Sequence, residues 1–256
     1  STLMRSSAAS DVYKRQVSDH GLLWISAQDS SFKDLDLNDG GLKGSNMTVT
    51  GEVAMSNGTI SDAMDLMLTQ GAQNASGSIT AEGNITTTDA GITEAPYSEL
   101  TLSAGGNINV GTGAISATSV TAGEAITAAA VTATKVQAKT LTASGDVTVS
   151  GGVLNTTGTG ADASSVDGTL NLSDATARVG DLTAGATTLS NGSSLSAEKL
   201  IMSGDLTVGS NADTKGGTTL VVDALNLGGN DLLIDPAWGT ASTRTTSKGC
   251  SNTFAM

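Results

Sequence analysis

Carboxylates offer the first candidates for chemistry in this 256-residue chain, because Asp146, Asp181 and Asp205 each follow a glycine in a repeated setting. Carboxylates converging on one groove with basic residues would suit a polysaccharide hydrolase or lyase. Repeated Gly-Asp pairs also suit calcium, which takes its oxygens from aspartates in successive turns. The nearest calcium-like piece, GGNDLLID from Gly228 to Asp235, stands alone and lacks the tandem nonapeptide spacing of calcium β-rolls. An aspartate after a glycine is also what a turn selects, since its carboxylate bonds nearby backbone, and the three aspartates are read that way. The one histidine, His20, completes no Ser-His-Asp triad and no metal cluster, and the one cysteine, Cys250, closes no internal disulfide. No catalytic, cofactor-binding or metal-binding residue is therefore assigned, no cofactor is expected, and the chain is read as a non-enzyme.

Hydroxyls are the other abundant functional group. Thr127, Thr132 and Thr142 each follow a buried-type aliphatic, as the threonines of an ice-binding solenoid would, but Gln137 interrupts the series and adjacent units fall on different faces. Asn-x-Ser/Thr triplets begin at Asn46, Asn57, Asn74, Asn84, Asn155, Asn171 and Asn191 and are read as turn chemistry rather than glycosylation. The charge balance, 25 acidic against 12 basic residues for a net −13, argues against a nucleic-acid or anionic-membrane surface, both of which need basic clusters. No stretch approaches the roughly 20 apolar residues of a membrane span.

What would hold such residues in place is set by the run AITAAAVTATKVQAKTLTASGDVTV, residues 125–149. Its large aliphatics, Ile126, Val131, Val136 and Leu141, recur every fifth residue. On a helix each step would rotate by about 140° and scatter them, and on one flat strand the odd spacing would send them to alternate faces. A short extended piece followed by a bend satisfies the spacing: each aliphatic and the alanine two places on point inward, and the next two residues turn a corner. Ile115 with Ala117 and Val120 with Ala122 obey the same rule. Aromatics make up only 2% of the chain, which a stacked solenoid of small aliphatics tolerates and an ordinary core of this length would not.

A second pattern has a longer period. Glycine, a small polar or acidic residue, an aliphatic and a threonine or asparagine recur as GEVAM (Gly51), GNITT (Gly83), GNINV (Gly106), GDVTV (Gly145), GTLNL (Gly168), GDLTA (Gly180) and GDLTV (Gly204), with looser copies at Gly123 and Gly229. Most intervals lie near twenty residues, with one short step from Gly168 to Gly180. The expected fold is all-β: a right-handed parallel β-helix with coils of about 20 residues, roughly ten of them making a rod about 50 Å long. Residues 44–236 are assigned to this solenoid, 17–43 to an N-terminal cap or irregular segment with Leu22 to Ile25 as a capping element, and 237–256 to an irregular truncated tail. DAMDLMLTQ, from Asp62 to Gln70, is either a helical turn or a strand with Met64, Leu66 and Leu68 inward. The stretch SSAASDVYKRQ resembles a sequencing-adapter translation, so residues 1–16 are expected to be a non-native leader, the alternative being a native polar one.

LSAEKLIMSGDLTVGS (Leu195 to Ser210) and TTLVVDALNLGGNDLLIDPAWGTAST (Thr218 to Thr243) resemble the passenger region of Gram-negative autotransporter adhesins. The resemblance implies a surface-exposed or secreted β-helix at the outside of a Gram-negative bacterium, anchored by a C-terminal β-barrel that this sequence lacks. It implies a structural and adhesive role: an outward polar face for host-cell or bacterial-surface glycans or proteins, or for self-association. A polysaccharide-degrading enzyme on the same fold and an ice-binding solenoid are the alternatives.

Overall fold

The structure, a computed structural model, describes residues 3–6, 12–18, 20–209 and 218–234. Each aliphatic and the residue two places on point to one side of a short strand, and a bend then carries the chain to a new direction. Repetition of this step winds the chain into a β-solenoid of about 10 turns, whose coils lie about 19 residues apart. Among the described residues all strands belong to one 26-stranded sheet, and the only helical element is a single 3₁₀ turn, Gly160–Asp162. Every inter-coil pairing is parallel, as the parallel β-helix expectation requires.

Three strands per coil give the rod three faces. On the first face, Leu23, Leu42, Ile60, Ile79, Leu102, Val120, Val136 and Leu154 stack in register. The second face stacks Met47, Leu66, Ile85, Ile108, Ile126 and Leu141. The third stacks Ile92, Ile115, Val131, Val147 and Leu170. All of these side chains are buried, and together they form one continuous apolar interior. Full burial of each such side chain contributes about 1.5–3 kcal/mol, so the core is a sum of many equal increments rather than one dominant cluster.

The five-residue beat of residues 115–143 now has a geometric meaning. Ile126, Val131, Val136 and Leu141 occupy the second, third, first and second faces in succession. Five residues per face shorten the coil to about 15 or 16 residues, as Ile126 stacking on Leu141 and Val120 on Val136 show. Alanine supplies the second inward position of each strand there, and Ala117, Ala122, Ala128, Ala133, Ala138 and Ala143 are all buried. Short coils and an inner row of alanine thus go together in this stretch.

The recurring glycine word enters two different faces, which explains its uneven intervals. GNITT, GNINV and GDLTA lead into the second face, whereas GDVTV, GTLNL and GDLTV lead into the third. The short step from Gly168 to Gly180 therefore runs from a third-face entry to the second-face entry of the next coil. At both corners a glycine is needed because coils touch there: a Cβ on Gly180 would lie 2.3 Å from the carbonyl oxygen of Gly158.

Three expectations change. Leu22–Gln28 is not a cap but a rung of the first face, paired on one side with Leu3–Ser6 and on the other with Gly41–Ser45. The stack thus extends ahead of Gly44, and Val12–Ser18, which overlaps the segment set apart as a leader, pairs with Ser31–Asn38, which pairs in turn with Met47–Val49 and Val53–Ser56. In DAMDLMLTQ the strand is Leu66–Leu68 with Leu66 and Leu68 inward, but Met64 is 49% exposed because it stands on the corner that Asp62 turns. The tail assigned to 237–256 lies outside the described residues.

Leu102 is fully buried and stacks between Ile79 and Val120. Leu102→Ala is expected to cost about 2–5 kcal/mol, read as a lowered midpoint in urea unfolding followed by far-UV circular dichroism.

Candidate functional site

Corners must satisfy backbone groups that the strands leave unpaired, and this chain does so with aspartate and asparagine. Asp29, Asp39, Asn46, Asn57, Asn74, Asp89, Asp174 and Asn191 all take left-handed backbone, with φ between 50° and 58°. Asn and Asp tolerate that conformation better than other non-glycine residues. Of the Asn-x-Ser/Thr triplets, those at Asn46, Asn57 and Asn191 therefore begin on corners, and that at Asn74 begins where the strand Ala72–Ala75 shifts register.

The carboxylates singled out by sequence bond an adjoining coil rather than their own turn, the following coil for Asp146 and Asp205 and the preceding one for Asp181. Asp146 Oδ1 accepts the Thr169 N–H at 2.8 Å, Asp205 Oδ1 accepts that of Asp231 at 3.1 Å, and Asp181 Oδ2 accepts that of Gly160 at 2.9 Å. The three stand on different coils, and the structure does not bring them together. The same device repeats as a ladder at the corner entering the second face. Asp65 Oδ1 accepts from the Asn84 side chain at 2.9 Å, and Asn84 Oδ1 accepts from the Asn107 side chain at 3.0 Å. Asn107 Oδ1 in turn accepts the Ala125 N–H at 3.1 Å. Among the described residues no group of three or more His, Cys, Asp or Glu is placed to hold a metal. Asp235 of the calcium-like piece and Cys250 lie outside the described residues, and His20 sits on a corner, its backbone N–H donating to the Asp39 carbonyl at 2.8 Å.

Asp62 is a carboxylate the sequence did not mark. It replaces the small residue found at this inward position in neighbouring coils, pairing with Gly44 on one side and Ala81 on the other, and is only 2% exposed. Its oxygens accept the N–H groups of Asn46 and Met47 at 2.7 Å each and of Met64 at 2.8 Å. A buried carboxylate with three backbone donors is a structural pin.

The basic side chains include one ion-pair cluster. Lys139 Nζ lies 2.9 Å from Asp162 and 4.0 Å from Glu124, tying three coils along one corner. The hydrogen bond and the charge of Asp162, with a smaller part from Glu124, raise the lysine pKa above 10.5. A raised folded-state pKa stabilises fully below the unfolded value and stops doing so as pH climbs through the folded one.

Outward side chains form files along the rod. Thr127 and Thr142 adjoin on the second face, Thr132 lies on the third between Ser116 and Thr148, and Gln137 faces out from the first. The widest array is on the first face and was missed in the sequence. Thr59, Ser78, Thr101 and Ser119 form one file, and Ser61, Thr80, Ser103 and Thr121 form a second beside it. Along each strand the two hydroxyls are about 6.6 Å apart, and successive coils are about 4.8 Å apart. Thr80 donates to the Ile60 carbonyl at 3.1 Å, whereas the other seven make no hydrogen bond with described residues. The signal was available: GTISD, GSITA, LTLSA and SVTA each place a hydroxyl on both sides of a buried aliphatic. Thr127, Thr132 and Thr142 lie on the second and third faces and belong to neither of these files.

No family model, curated protein or solved structure matches this chain.

Asp62→Ala strips the acceptor from three backbone N–H groups and is expected to destabilise by on the order of 3 kcal/mol, with Asp62→Asn costing less because one acceptor oxygen survives. Urea midpoints of the two variants give the ranking. Lys139→Met is expected to lower the thermal midpoint slightly at neutral pH and low salt, and the difference should vanish in high salt or once the pH exceeds the lysine titration above 10.5.

Proposed function

We propose that this chain is a structural and adhesive rod of the autotransporter-passenger type, displayed at the surface of a Gram-negative bacterium or secreted from it. Its first face contacts glycans on another cell or surface. The observation that carries this reading is the two-file platform on the first face, where hydroxyls on both sides of a buried aliphatic repeat over four coils in register. Sugars are recognised by groups that both donate and accept hydrogen bonds, and serine and threonine do both. Because the platform sits on a stacked sheet, its hydroxyls are held in place before a ligand arrives, which lowers the entropic cost of binding. The wording of Leu195 to Ser210 and Thr218 to Thr243 supports the passenger assignment.

The same platform favours a second reading, an ice-binding face, since fixed hydroxyl files on a flat sheet can also order water. The purified chain should be retained on a glycan array. The variant Ser78→Ala, Thr101→Ala, Ser103→Ala, Ser119→Ala should lose at least tenfold in retention with an unchanged circular dichroism spectrum, because none of those hydroxyls bonds a described residue. Equal retention of variant and parent, or no retention of either, overturns the glycan reading, and thermal hysteresis of the parent in supercooled water transfers the platform to ice.

A further inference from the structure

The first outward file of the first face carries a side chain on every neighbouring coil except one. It runs Leu22, Gly41, Thr59, Ser78, Thr101 and Ser119. Where Gly41 omits its side chain the surface dips, and the depression spans three coils. Leu22, 41% exposed, leans over the gap, since a Cβ on Gly41 would meet its Cδ1 at 3.0 Å. Polar groups close the other sides: Lys43 on the same strand, His20, Asp39 and Asn57 on the adjoining corner, and Thr59 and Ser61 beyond. The corner is fixed, with Asp39 Oδ1 accepting from the Asn57 side chain at 2.8 Å. Trp24 projects from the same side of the strand as Leu22, two residues on, and is also 41% exposed.

We propose that this depression is a subsite for one pyranose ring of a glycan. A sugar ring has an apolar C–H face and a rim of hydroxyls. The depression offers the matching pair: the Leu22 side chain for the face, and the Asp39 carboxylate, Asn57 amide, Lys43 ammonium and two hydroxyls for the rim. Thr59 and Ser61 are also the first pair of the two-file platform, so a glycan laid along the platform runs into the depression. The platform supplies contact for any hydroxylated chain, and the depression selects the sugar that fills it. This inference rests on the glycan reading above and goes beyond it by locating selectivity.

Methyl pyranosides of the gluco, galacto, manno and N-acetylglucosamine series, together with glucuronic acid, are titrated into the full chain by two-dimensional amide NMR. At least one should shift the amides of Gly41, Lys43 and Thr59 while those of Thr101 and Ser103 stay still. Leu22→Asn and Lys43→Ala, both at exposed positions, should weaken that sugar at least tenfold with an unchanged fold. Gly41→Gln, which fills the gap at the expense of a movable leucine terminus, should abolish it. No shift from any sugar, or shifts confined to the platform, overturns the subsite. If the three variants keep the parent's array retention and selectivity, the subsite is wrong while the platform reading stands. If the parent itself is not retained, the platform reading falls as well.

Discussion

Parallel backbone pairing between consecutive coils is the interaction on which everything else depends. Each strand takes its hydrogen bonds from the coils on either side, so no coil is a folding unit alone, and stability accumulates through neighbour interfaces. Pairing in strict register forces like positions to stack. Inward aliphatics become columns, outward polar residues become files, and corner residues become ladders. A local change in one coil is thus felt first by the coils adjoining it.

Corners are where this arrangement is costly, because backbone groups leave the ladder each time the chain turns. The chain meets the cost in two ways. Glycines let coils approach, as at Gly180, and acidic or amide side chains reach to the neighbouring coil's N–H, as Asp146, Asp205 and Asn84 do. Asp62 takes the device into the interior, where a carboxylate stands in an alanine column and holds three donors at once. The abundance of aspartate and asparagine in the sequence is in large part a record of this corner work.

Faces differ in what they have left for binding. The second face carries short strands such as Leu66–Leu68 and Ile85–Thr87, with room for one outward side chain between two inward ones. The first face has five-residue strands at Gly58–Asp62, Gly77–Ala81 and Leu100–Ala104, which lift two outward side chains each. Strand length, rather than threonine content, is what makes the first face the broad platform, and a single glycine in its outer file is enough to shape a hollow.

Local residue order determined the solenoid. The five-residue spacing of Ile126, Val131, Val136 and Leu141 excludes a helix face and a flat strand on angle alone, and turning around a narrow interior is what remains. That Asp146 and Asp205 stand just ahead of a strand was also legible, since glycine followed by aspartate is a local backbone signal, whereas Asp181 lies within the strand Thr176–Ser190. Which coil those carboxylates bond, and that Asp62 points inward, depended on stacking. Met64 failed as an inward residue because alternation was extended across a corner that the sequence does not mark. The paired hydroxyl files and the gap at Gly41 were decided only by tertiary structure: their members lie 18 to 23 residues apart, and inter-coil register alone brings them side by side. Sequence order fixes which side of a strand a residue occupies, whereas its neighbours on the adjoining coils are set by the length of the loops between, and those loops vary from coil to coil.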